Sequence, residues 1–296
     1  MLRKPVLARC DDRSRMAQQN HVYGGPEDWL TSKTLAAYRV APLSFDFFIN
    51  WSVNPVSAQR ELWVKRISDV PVEHLGHADL SAGAVLCGDD LHALQAFADR
   101  HQFDVRYVVF RDGVDWQRSP EKILVATLRG GGFDSVSLHR QAEIEDAVKH
   151  FSGGPVYIGN KGLTYGTSTL ECHLAKNSDA LWPGDADSVL WNDQEGAFAV
   201  LEFKKHNLPT PIADEHIQKY MAKDARKWRR LALLRDRLGP NVILVCVYYS
   251  TSSTVHEVKV ERLAGSPTGL RAAHNTVVNI AGLSAEQIGH AIINAL

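Results

Sequence analysis

Residues 183–207 read PGDADSVLWNDQEGAFAVLEFKKHN, and the organisation of the chain follows from this stretch. SVLW (188–191) is a short apolar strand, NDQEG (192–196) a polar turn, and AFAVLEFKK (197–205) a longer apolar strand ending in charge. A five-residue connection between two such runs is hairpin length. Side chains two apart share one face of a strand, so Glu202 and Lys204 project together, about 7 Å apart at the backbone. They continue the face of Phe198 and Val200. A lone carboxylate at the end of a buried strand is costly, and a cation is its usual compensation. On the partner strand Asp187 opens the apolar run, and a hairpin brings it beside Glu202; Asp185, two residues earlier, shares that face.

Two converging carboxylates with a lysine alongside suit a hard divalent cation, Mg²⁺ with retained waters above all. Such a cation stabilises charge on a phosphate and acidifies a water, while the lysine orients that water or neutralises developing charge. The pattern D-x(14)-E-x-K on a hairpin, after a helix bearing a glutamate and before a long helix, resembles the PD-(D/E)xK nuclease superfamily. That superfamily includes restriction endonucleases, Holliday-junction resolvases and many defence and repair nucleases. The resemblance covers residues 160–260 and nothing in 1–150. It implies a restriction-endonuclease-like mixed sheet flanked by helices, with Mg²⁺ or Mn²⁺ as cofactor. The implied activity is phosphodiester hydrolysis by an endonuclease, on DNA more than RNA because most of the superfamily cuts DNA.

By that resemblance Asp187 and Glu202 hold the metal, the Phe203 carbonyl offers a further ligand, and Lys204 assists the attacking water. The superfamily's Pro-Asp dipeptide stands here as Pro183-Gly184-Asp185-Ala186-Asp187, so Asp185 competes with Asp187 for the ligand role. Glu171 matches the helix glutamate that supplements the metal site in resolvase-like members. Yet Ser168-x-x-Glu171 is also a capping box, which would turn the Glu171 carboxylate to the Ser168 N–H. Both readings stand at this point.

After the hairpin, Thr210 and Pro211 sit where an N-cap and first helical residue belong. Ile217, Tyr220, Met221, Trp228, Leu231, Ala232 and Leu238 then recur at helical spacing up to Gly239-Pro240. Lys219, Lys223, Arg226 and Arg230 fall within about 60° of one another on that helix, a stripe beside the apolar face. With Lys205 and Gln218 they are the candidate nucleic-acid contacts. Residues 201–240 hold ten Lys and Arg against five acids, whereas the whole 296-residue chain has 33 against 34 and a net charge of -1. Near-neutrality excludes nucleic-acid binding by bulk charge and leaves room for a local basic groove.

Further on, NVILVCVYYS (241–250) reads as a buried strand and VHEVKVERL (255–263) as an alternating one. Leu283-Ser284-x-x-Gln287-Ile288 is a capping box with a hydrophobic staple, opening a last helix that is a candidate homodimer contact. Towards the N-terminus, SGGP (152–155) marks a boundary. The expected organisation is an irregular arm (1–30), an α+β domain with a recognition or regulatory role (31–152) and the nuclease-like domain (153–296). The class is α/β, α+β overall. In the first domain ELWVKRI, DVRYVVFRDG, KILVATLRGGG and SVSLHR read as strands, and DDLHALQAFADRH and QAEIEDAVKHF as helices.

No run approaches the roughly 18 apolar residues of a membrane span. The N-terminal stretch lacks the apolar core of a secretory signal. Cys10, Cys87, Cys172 and Cys246 show no C-x-x-C spacing and read as reduced thiols of a cytoplasmic protein. IGNKGLTYGTS (158–168) lacks the ending of a P-loop and reads as a turn, and Gly166-Thr167-Ser168 lacks the second glycine of a nucleophile elbow. His74 and His77 read as surface histidines, and Trp51, Trp63 and Trp116 as packing residues. The rival to the enzyme is an inactive nuclease-like scaffold that binds nucleic acid or protein.

Overall fold

The computed structural model describes residues 1–157, 162–208 and 210–296. The chain opens with strands β1 (Leu2–Arg3) and β2 (Ala8–Arg9) and short helices α1 (Pro26–Trp29) and α2 (Ser32–Leu35). Strands β3 (Ala41–Asn50) and β4 (Ser57–Ser68) form a hairpin, followed by helices α3 (His77–Leu86) and α4 (Leu91–His101). Next come β5 (Asp104–Phe110), β6 (Ile123–Arg129), β7 (Gly132–His139) and helix α5 (Gln141–Ser152). After β8 (Tyr165–Gly166) and α6 (Thr169–Asn177), the hairpin of β9 (Gly184–Asn192) and β10 (Gly196–Lys205) leads into α7 (Gln218–Met221) and α8 (Ala225–Leu238). Strands β11 (Ile243–Tyr249), β12 (Glu257–Ala264) and β13 (Arg271–Asn279) and helix α9 (Ala285–Asn294) complete it.

Two compact units result: Met1–Ala17 with Phe45–Asp185, and Gln18–Ser44 with Ala186–Leu296. The first contains the ladder β3-β4-β5-β6-β7, in which β4 and β5 run parallel and the other neighbours antiparallel. The second contains β9-β10-β11-β12-β13, in which β10 and β11 run parallel and the others antiparallel. Each is a mixed sheet with helices packed against it. Parallel neighbours need a crossover connection, and both units supply a helical one, α3–α4 and α7–α8. The two units therefore repeat one order: hairpin, helical crossover, parallel strand, two antiparallel strands, helix.

Local chemistry sets these elements. The Asp90 carboxylate accepts the Ala93 N–H at 2.9 Å and starts α4; Ser284 and Gln287 form the reciprocal cap of α9. In the second hairpin the Asn192 side chain accepts the N–H groups of Gln194 and Glu195, and Gly196 closes the turn at φ +96. The core of the first unit gathers Phe48, Trp63, Phe110, Trp116 and Trp182. The second gathers Trp29, Leu190, Leu201, Val245, Val247 and Ile288.

Three expectations are corrected. First, residues 211–238 are not one helix. Pro211 is extended (ψ 141), Ile212–Asp214 make a single 3-10 turn, and Glu215 is extended again. Glu215 is drawn out of helical geometry by its contacts: Tyr220 and Lys219 reach its carboxylate, and the Lys259 ammonium donates to its carbonyl. Second, the stripe is broken with it, since Lys219 lies on α7, Lys223 between the helices, and Arg226 and Arg230 on α8. Third, Cys10 and Cys172 form a disulfide, while Cys87 and Cys246 are buried free thiols. On α9, Ile288 and Ile292 are buried and Gly289 lies against the Trp29 carbonyl. Residues 158–161 of the glycine-rich segment lie outside the described residues. No helix among the described residues is long and apolar enough to cross a membrane.

Candidate functional site

Strand β10 carries Glu202 to the floor of the second unit. The strand is apolar from Ala197 to Leu201 and is covered by its neighbours and by α8, so Glu202 is only 1% exposed. Two ammonium groups meet its Oε1: Lys227 Nζ at 2.8 Å, from α8, and Lys204 Nζ at 3.5 Å. Lys204 also holds the Asp224 carboxylate at 2.8 Å and lies over the rings of Tyr220 and Trp228, 5.6 and 5.5 Å from their centroids. Burial alone would weaken the Lys204 ammonium, but Glu202 and Asp224 outweigh it and raise its pKa above the ordinary lysine value.

Asp187 takes its place from hairpin register. The β9–β10 ladder ends at Ser188 opposite Leu201, so the next residues outward are Asp187 and Glu202. Instead of another ladder bond, the Asp187 Oδ2 accepts the Phe203 N–H at 2.8 Å. Phe203 itself runs parallel to Val247 in the neighbouring ladder. Asp187, Glu202 and Lys204 thus occupy neighbouring backbone positions at one end of one hairpin; burial, and then the Asp187 charge, push the Tyr249 phenol up from its ordinary pKa. Among the described residues, no group of three or more His, Cys, Asp or Glu side chains is arranged to hold a metal ion.

The other expected residues are distributed more widely. Glu171 belongs to the first unit. The Ser168 hydroxyl caps α6 by accepting the Glu171 N–H, but the Glu171 carboxylate passes over Ser168 and accepts the N–H and hydroxyl of Thr167, each at 2.7 Å. The reciprocal half of the capping box is therefore shifted by one residue. Lys65 Nζ lies 3.7 Å from the same carboxylate and 3.4 Å from Asp46, whose other hydrogen bond comes from Trp182 Nε1 at 2.7 Å. Burial pushes the Asp46 carboxyl up to about 6 against the pull of Lys65. Asp185 is exposed at the end of the first unit and adds its charge to that around Asp46 and Lys65. Lys205 is exposed and donates to the Gln18 carbonyl at 2.9 Å, and Lys219 donates to Glu215 at 3.0 Å. Gln218 and Lys223 are exposed, and Arg226 and Arg230 are half-buried.

Asp224 and Lys227 were not anticipated. Asp224 is the sole acid between residues 216 and 235, set among basic residues, which marks a helix start. Lys227 follows it by three, on the same helical face. Comparisons with protein-family models, curated proteins and solved structures returned no match.

Proposed function

We propose that the second unit is a metal-dependent nuclease of the PD-(D/E)xK type, with a restriction-endonuclease-like core, acting on DNA. The observation that carries the reading is a fully buried Glu202 at the end of a hairpin strand, with Asp187 at the adjoining position and two lysine ammonium groups on its carboxylate. A buried acid among cations is costly to build and is a mark of functional sites. The order of hairpin followed by helix is that of the resemblance.

The donor chemistry fits a hard divalent ion. Two carboxylates, supplemented by waters and substrate phosphate, are a usual set for Mg²⁺. Asp187 and Glu202 would hold it, with the Phe203 carbonyl adjoining. Bound there, the ion supplies charge stabilisation on the phosphate and a more acidic water. The chain does the rest. Glu202 is fixed by its burial and Asp187 by the Phe203 N–H, and an ammonium group beside Glu202 would neutralise charge gathering on the phosphate oxygens. The basic residues of α8 and the segment before it, Lys223, Arg226 and Arg230, would track the backbone. The first unit would read substrate or partner, in a restriction, defence or repair setting.

One observation favours the rival scaffold. Glu202, Lys204, Asp224 and Lys227 already form a charge network of their own, which would stabilise a binding module without metal. Cleavage separates the two. Incubated with plasmid, single-stranded DNA and RNA plus Mg²⁺ or Mn²⁺, the protein is expected to cut DNA, and Glu202→Gln to abolish it with folding retained. Undiminished cutting by the variant removes the site; no cutting of any substrate by the wild type leaves the scaffold.

A further inference from the structure

The repeat between the two units separates what the fold requires from what the site requires. In the parallel ladders Lys204 pairs with Tyr248 and Arg66 with Val109, each one step from the end of a seven-residue strand. The two cations are therefore equivalent. Lys204 reaches Asp224, at the start of crossover helix α8; Arg66 makes a two-pronged contact with Asp89, just before crossover helix α4. Both units thus strap the strand to its crossover helix with one cation and one aspartate. Two residues before the cation the units differ. Glu202 in the second corresponds to buried Val64 in the first, and Asp187 corresponds to buried Phe45. A unit with no acid at these positions keeps the strap, so the strap is architecture.

What the second unit adds to the strap is Asp187, Glu202 and Lys227; the third position of α4, where α8 has Lys227, holds Ala93. Lys227 and Lys204 also differ in exposure. Lys204 is 16% exposed, held by Asp224 and overlain by two rings, so reaching a substrate oxygen would break the strap. Lys227 is 31% exposed, sits on the third position of α8 and is already 2.8 Å from Glu202. Rotation of its four-carbon stem can carry its ammonium from Glu202 to a neighbouring phosphate oxygen.

We propose that Lys227, and not Lys204 of the motif, is the catalytic lysine that contacts the scissile phosphate, and that Lys204 and Asp224 are positioning residues. This rests on the nuclease reading. In the resting site Lys227 is the counter-ion of Glu202. With a divalent cation on that carboxylate, the Lys227 ammonium would donate a hydrogen bond to a phosphate oxygen instead, with no proton or covalent bond exchanged.

The test compares the full chain with Lys227→Met, Lys227→Arg and Lys204→Met. Single-turnover DNA cleavage with Mn²⁺ gives rate and KM, calorimetry gives Mn²⁺ affinity without DNA, and thermal melting reports folding. Lys227→Met is expected to slow cleavage about 100-fold with KM little changed, as for loss of one transition-state donor, and Lys227→Arg to restore most of the rate. Lys227→Met is also expected to bind Mn²⁺ several-fold more tightly, because an ammonium no longer competes for Glu202. Lys204→Met is expected to lower the melting temperature and to slow cleavage less. The assignment is overturned if Lys227→Met cleaves within threefold of the wild type, or if its Mn²⁺ affinity is unchanged. A folded wild type that cleaves no nucleic acid overturns the nuclease reading itself.

Discussion

Asp224 holds Lys204 at 2.8 Å, joining the end of strand β10 to the first turn of helix α8. Lys204 is 16% exposed and Asp224 27%, so the pair is shielded from full solvent screening. Asp224→Asn is expected to destabilise the protein by about 1.5–3 kcal/mol, the range for hydrogen bonds to charged groups. Asp89→Asn, which opens the equivalent link to Arg66, is expected to act in the same direction. Urea unfolding midpoints measure both. Unchanged midpoints would show that neither link contributes to stability.

The disulfide between Cys10 and Cys172 ties the N-terminal strand β2 region to helix α6 across 162 residues of chain. Its removal by Cys10→Ser is expected to cost about 2–5 kcal/mol, chiefly through a freer unfolded chain. Cys87 and Cys246 are buried, and burial pushes both thiols up from their ordinary pKa, so native protein should react slowly with thiol reagents. A non-reducing peptide map should show the 10–172 pair and two free cysteines. Four reactive thiols in the native state would refute it.

Glu61 gives the first unit a pH dependence. It is buried, accepts the Trp63 Nε1–H at 2.6 Å and meets Arg106 at 2.7 Å, yet burial outweighs these partners and pushes its carboxyl up to about 7. A carboxyl whose folded pKa exceeds its unfolded value binds the proton more strongly when folded. That contribution is full below about pH 4 and is lost as pH rises towards 7. Wild-type melting temperature should therefore fall more steeply between pH 5 and 8 than that of Glu61→Gln. Parallel profiles for the two proteins would contradict this.

Lys223 and Arg226 flank the start of α8, one exposed and one half-buried. Reversing both charges, Lys223→Glu with Arg226→Glu, should weaken DNA binding by at least about tenfold near physiological salt and flatten the dependence of log K on log salt. Titration at three or more salt concentrations checks it. An unchanged slope would return this face to solvent.

Much of this arrangement is legible in the sequence because its signals are local. The second hairpin is written in its turn chemistry, with Asn192 and Gly196 bracketing polar residues. The caps of α4, α6 and α9 are written in Asp90, Ser168 and Ser284. What escaped depends on contacts between distant residues. Strand β13 is exposed along almost its whole length, so it has no apolar alternation to betray it. The break before α8 follows from a buried Glu215 carboxylate gathering Tyr220 and Lys219, and the Cys10–Cys172 bridge from a fold that spans 162 residues. The repeat of the two units leaves no trace in spacing because equivalent positions hold unlike residues, Val64 against Glu202 and Phe45 against Asp187. Lys227 was hidden for the same reason: its relation to Glu202 exists only once α8 is laid across β10.

The central claim is that Glu202 and Asp187 form a metal-dependent nuclease centre. The most direct measurement is supercoiled-plasmid cleavage with Mn²⁺ by the wild type beside Glu202→Gln and Asp187→Asn, each shown by circular dichroism to be folded. Nicked or linear product is expected from the wild type alone, abolished by chelation and absent in both variants. Equal product from a folded Glu202→Gln variant would contradict it.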